Sequence, residues 1–141
     1  MADHKEIENT EAAICGFLSS FSKEVLRPLF PFREEADMAE TLLNEALLNA
    51  WEHGNQKDPQ RRIGIVWRVF PANALEITVR DEGAGFTPPD LARPPPVAHR
   101  RGRGLFILKE FADCVRFNER GNEITFIYRG KKWKENIFKD S

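Results

Sequence analysis

The chain has 141 residues, 41% of them hydrophobic, 11% aromatic and 30% charged, with 21 basic side chains against 22 acidic ones and a formal net charge of −1. That length predicts a single domain able to bury roughly 68–70% of its unfolded surface, and the apolar content and near-zero charge exclude a disordered chain. No apolar run approaches the roughly 20 residues of a membrane span, no secretory signal opens the chain, and Cys15 and Cys114 match no metal or redox spacing; the expected setting is cytoplasmic, reducing and away from membranes.

In chain order, Ile14, Phe17, Leu18, Phe21, Val25 and Leu29 recur at spacings of three or four and predict an amphipathic helix over 8–29, ended by Pro28 and Pro31, with no strand before it. A second helix is predicted from about Arg33 to His53, stopping at Gly54-Asn55. Two alternating runs, Arg62–Phe70 and Ala74–Asp81, read as a hairpin about Pro71-Ala72-Asn73. The stretch 82–103 holds Pro88-Pro89 and Pro94-Pro95-Pro96, so it is predicted as neither helix nor central strand but as a long functional loop. A helix resumes at Gly104–Phe111, and strands near Cys114–Asn118 and Glu123–Tyr128 are joined through Gly121-Asn122. The order predicts one layer of helices on one sheet.

Charge is uneven. Residues 93–103 carry Arg93, His99, Arg100, Arg101 and Arg103 with no acid among them, and the tail from Arg129 to Lys139 is also basic. No nucleic-acid-binding signature accompanies either cluster, so a direct nucleic-acid partner is not expected, and the tail reads as a solvated end.

Three segments carry candidate chemistry. On the second helix, at 100° per residue, Glu45, Asn49 and Glu52 fall within an arc of about 60°, with His53 at its edge. Leu43, Leu47 and Ala50 project oppositely, while Leu42 and Ala46 flank the polar strip, so this helix is apolar over most of its circumference and its strip reads either as a solvated face or as the border of a cleft. Asp81-Glu82-Gly83-Ala84-Gly85 follows a strand; its glycines allow close approach of backbone to a ligand, or simply a loose turn. Arg101-Gly102-Arg103-Gly104-Leu105 opens a helix, where bare N–H groups and the helix dipole favour an anion.

In that order, Glu45-x-x-x-Asn49-Ala50-x-x-His53, Asp81-x-Gly83-x-Gly85 and Gly102-x-Gly104-Leu105 resemble the three nucleotide-binding boxes of the GHKL ATPase superfamily, and the chain is most similar there to the small bacterial anti-sigma-factor serine/threonine kinases. The resemblance covers about residues 38–129. It implies an α+β fold of the Bergerat type, a two-layer sandwich with helices on one face of a mixed sheet, in one ATP-binding domain over 1–141 with a lid at about 86–103. It also implies roles. Asn49 would ligate Mg²⁺ through its amide oxygen, and Glu45 would be the general base. Asp81 would accept from the adenine amino group and reject the guanine carbonyl. Gly83 and Gly85 would pack the loop against the base. Gly102 and Gly104, with Leu105 completing the box, would bring main-chain N–H groups to the phosphates, while Arg101 and Arg103 neutralise their charge or meet an acidic partner. Asn122 stands beside the adenine pocket where many members have threonine. His53, Trp51 and Trp67 read as structural.

The function implied is an anti-sigma regulatory factor that phosphorylates a STAS-type antagonist with Mg-ATP and sequesters a sigma factor; the alternative is an ATP-gated binding protein without kinase activity. The catalytic domain of a histidine kinase is disfavoured, since 141 residues leave no room for a dimerisation and phosphoacceptor domain. A homodimer stays open, because the kinases' first strand, part of their dimer, is not read here.

Overall fold

The computed structural model describes residues 2–83 and 100–130, with 100–103 by backbone alone. Gly85, the lid over 86–99 and the basic tail beyond Gly130 lie outside the described residues.

The chain opens with a strand, β1 (Asp3–Glu8), paired antiparallel to β2 (Arg62–Phe70) with Ile7 opposite Ile63. This corrects the reading of a helix from residue 8 with nothing before it. Helix α1 (Glu11–Phe21) starts at an N-cap, Thr10, whose Oγ1 accepts the Ala13 N–H at 3.0 Å. It runs through a π turn (Ser22–Leu26) into the short α2 (Arg27–Leu29), where Pro28, with no N–H to give, follows the widened turn. Ile14, Phe17, Phe21 and Leu26 from this segment are buried.

Helix α3 (Arg33–Asn49) buries Leu43 and Leu47 of the expected stripe together with Leu42, Ala46, Ala36 and Ala39, and continues as a π turn over Ala50–Gly54. The hairpin of β2 and β3 (Ala74–Arg80) turns through Pro71–Asn73. Helix α4 (Arg100–Phe111) begins four residues before the expected Gly104, so 100–103 are helix rather than loop. Arginine is a good helix former, and a polar first turn leaves no apolar period to read. β4 (Cys114–Phe117) and β5 (Glu123–Tyr128) complete a sheet ordered β1-β2-β3-β5-β4. The two-layer α+β architecture is as expected, but the sheet is antiparallel at every pairing instead of mixed.

Alternation along the strands divides the sheet. Ile63, Ile65, Leu75, Ile77, Val79, Ile124, Phe126 and Tyr128 point into one core with the helices. At roughly 25 cal/mol per Å² of apolar area, this shared core is the main favourable term in folding. The other face is polar: Glu76 meets Arg68 at 3.4 Å and Arg116 at 3.9 Å, and the hydroxyls of Thr78 and Thr125 stand 2.8 Å apart. Trp67 packs edge-on against Phe21, with ring centroids 5.0 Å apart, and Trp51 lies against the core under the Lys57 ammonium, as their structural reading required. Both cysteines are free and exposed, and no helix among the described residues is long and apolar enough to cross a membrane.

One local strain is testable. Ala72 has φ 66° and Asn73 φ 57°, a left-handed pair that suits asparagine but opposes an alanine Cβ. Ala72→Gly is expected to stabilise the protein by about 1 kcal/mol, read as a shift of the urea midpoint at unchanged slope.

Candidate functional site

Helix α3 brings Glu45 and Asn49 to its C-terminal edge, both half-buried, with Leu42, Leu43, Ala46 and Leu47 sealed on its other sides. Beyond Asn49 the wider π turn takes over, and the 100° spacing that put Glu52 and His53 on the same arc no longer applies to them. Asn49 lines a small cleft, open to solvent, together with Ala46, Val79, Ile124, Asp81 and Asn122. Three of the predicted site residues, from three separate segments, thus share one cleft.

Asp81 directly follows β3 and is only 4% exposed. Its Oδ1 accepts the Gly83 N–H at 2.8 Å, and its own N–H donates to the Asn122 carbonyl at 2.9 Å. Burial pushes its carboxyl above the usual carboxylate range, a rise opposed by the Gly83 N–H and by the charges of Arg61 and Arg120. Two glycines make this seat. A Cβ on Gly54 would overlap the Asp81 carboxylate, and one on Gly83 would overlap the Gly54 carbonyl. Gly83 is therefore needed where the loop closes on the π turn. Gly54, read from sequence only as a helix stop, has no positive φ; its missing side chain leaves room for Asp81. Nothing local in the sequence separates these two uses of a glycine.

Asn122 reaches Asp81 from the β4–β5 turn, donating from Nδ2 to the Asp81 carbonyl at 3.3 Å. Asn118 holds that turn: its Oδ1 accepts from the N–H groups of Gly121, Asn122 and Glu123, and its Nδ2 donates to the Asn122 Oδ1 at 2.6 Å. Sequence reasoning missed Asn118, whose role depends on the turn closing around it.

The third segment meets the first at Glu45. A Cβ on Gly104 would overlap the Glu45 Oε2, so α3 and α4 come together with this carboxylate between them. Burial raises its pKa. The small size of Gly104 accommodates Glu45. Arg101, Gly102 and Arg103 occupy the first turn of α4, and Leu105 is buried in the core and anchors the helix.

A helix layer on an antiparallel sheet, an acid–amide edge and a seated aspartate over a cleft define a nucleotide-binding domain of the GHKL type. The profile of the histidine kinase-like ATPase domain matches residues 9–128, and the chain belongs to that family, a family of ATP-binding domains. It is similar to the anti-sigma F factor of Oceanobacillus iheyensis, 32% identical over 109 residues that make up 74% of each chain. It is also similar to that of Geobacillus thermodenitrificans, 36% identical over 110 residues and 73% of each chain. Among solved structures it resembles the histidine kinase domain of a blue-light activated histidine kinase from Erythrobacter litoralis, with a TM-score of 0.53 at 16% identity. That match covers 89% of this chain and 64% of the other, and it bears on the fold alone.

Proposed function

We propose that this protein is an ATP-dependent serine/threonine kinase acting as an anti-sigma regulatory factor, which transfers the γ-phosphoryl group of ATP to a serine of a STAS-type antagonist and binds a sigma factor. The observation that carries the reading is the meeting of Glu45 with Gly104 of the third box, together with a buried Asp81 that shares a cleft with Asn49. The shared name of the relatives, anti-sigma F factor, supports a sigma factor as partner. A homodimer belongs to the same reading: β1 exists after all and forms one edge of the sheet.

Asp81, ionised, accepts from the adenine amino group and offers no donor to a guanine carbonyl. Asn49 is the residue that would hold Mg²⁺. Asn49 lines the cleft, and no group of three acidic, histidine or cysteine side chains competes among the described residues. One protein oxygen suits an ion that takes its other ligands from phosphates and water, and when bound it neutralises phosphate charge. Glu45 takes the serine hydroxyl proton as the serine oxygen bonds to the γ-phosphorus and the bond to the β–γ bridging oxygen breaks, with ADP leaving. Arg101 and Arg103 are the residues that would offset charge on the phosphates.

The test is incubation with Mg-ATP and a purified STAS-type antagonist, followed by mass spectrometry for phosphoserine. Phosphoserine that depends on this protein and on ATP is the expected result. Adenine-selective binding without any transfer would reassign the protein as an ATP-gated binder.

A further inference from the structure

Asn55 carries no role in any motif, yet it is fully buried and every part of it is engaged. Its Nδ2 donates to the Asn9 Oδ1 at 3.0 Å and to the Arg62 carbonyl at 2.9 Å, and its Oδ1 accepts the Glu82 N–H at 2.8 Å. Its own N–H reaches the Ala50 carbonyl, and its carbonyl accepts from Asp58. Asn9, equally buried, donates back to the Asp58 carbonyl at 3.0 Å. The next two residues, Gln56 and Lys57, both lie in the left-handed region at φ 52° and 59°, a strained path that persists only where its surroundings over-determine it.

The acceptor of this network points at one place. Glu82 follows Asp81, so holding the Glu82 N–H fixes the peptide that leaves the Asp81 carboxylate. The Arg62 N–H bonds the Glu82 carboxylate, and the Gly54 carbonyl abuts Gly83, so the turn after β3 is held at three points, two on Glu82 and one on Gly83, by the segment 54–62. The central pin is a side chain with a donor and an acceptor at fixed separation. Aspartate would keep the acceptor but lose the donor pair, and alanine would lose both.

We propose that Asn55 is a positioning residue for base recognition, setting where the Asp81 carboxylate stands by holding the Glu82 peptide. The inference rests on Asp81 as the adenine acceptor. It is tested by titrating Mg-ATP and Mg-GTP calorimetrically into the wild type, Asn55→Ala, Asn55→Asp and Asn9→Ala, with the Tm of each. All three variants lose stability. Only Asn55→Ala is expected to lose the preference for ATP over GTP, by about tenfold or more, as for a recognition group misplaced by a fraction of an ångström. Asn55→Asp and Asn9→Ala, which leave an acceptor for the Glu82 N–H, retain it. If Asn55→Ala does not fold, Asn55→Ser, whose hydroxyl stops short of that N–H, replaces it. An unchanged preference in Asn55→Ala, or a loss that tracks Tm across all three, overturns the inference. A wild type without preference, or a preference that survives Asp81→Asn, overturns the adenine reading and this inference with it.

Discussion

Asp81→Asn is expected to abolish adenine-selective binding while leaving the protein folded. The substitution keeps an oxygen for the Gly83 N–H and turns an NH₂ group toward the ligand, so a donor faces the adenine amino donor. Losing a charge-assisted hydrogen bond and leaving a donor unpaired costs about 3 kcal/mol, or roughly a hundredfold in affinity for Mg-ATP and Mg-ADP alike. Mg-GTP, with a carbonyl at that edge, is expected to lose less or to gain. The pH dependence follows from the raised carboxyl. ATP affinity falls as pH drops through the folded pKa of Asp81, which begins above the ordinary carboxylate range, and the asparagine variant lacks this fall. Because a raised carboxyl pKa means that the charged form is disfavoured in the folded state, Asp81 opposes stability above its unfolded pKa, an effect that fades as pH falls. The variant should therefore not melt earlier at neutral pH. Calorimetric titration with the three nucleotides at two pH values measures all of this. Wild-type ATP affinity in Asp81→Asn would remove Asp81 from base recognition.

The legible parts of the fold were those written in local periodicity. The stripe Leu42, Leu43, Ala46 and Leu47 gave α3, and Ile63, Ile65 and Trp67 with Ile77 and Val79 gave the central hairpin, because a buried face imposes its period on the residues that form it. β1 escaped because it is an edge strand with one inward apolar residue, Ile7, among charged neighbours; its partner β2 supplies what it lacks. The start of α4 escaped because its first turn is arginine and glycine. At the site, the residue types that carry chemistry, Glu45, Asn49 and Asp81, stood out as motifs. The residues that seat them did not. Gly54, Asn55 and Asn118 act through partners 3 to 46 positions away, and no spacing rule records which peptide a buried amide will hold or which carboxylate a glycine will admit.

Glu45 and Gly104 provide the strongest separation of catalysis from structure. Glu45→Gln is expected to reduce phosphoryl transfer to the antagonist by about 10²–10⁴-fold, the usual contribution of a positioned general base, while Mg-ATP affinity stays near wild type. Burial raises the Glu45 pKa, so its charge opposes folding at neutral pH. Replacing it with a neutral isostere should hold or raise Tm as the rate collapses, the opposing signs of a site bought at the expense of stability. As a base, Glu45 must be ionised, so the wild-type rate climbs with pH through that raised pKa and the residual rate of Glu45→Gln does not. Gly104→Ala approaches the same carboxylate from the other helix. Alanine favours the helix by about 1 kcal/mol, but its Cβ takes the space of the Glu45 Oε2, a flexible end that swings aside. A more stable protein that transfers roughly a hundredfold more slowly is the expected result, since the base is displaced and not removed. If Glu45→Gln and Gly104→Ala both transfer at the wild-type rate, the carboxylate between α3 and α4 is not the base. If only Gly104→Ala does, Glu45 works from a position that the glycine does not set.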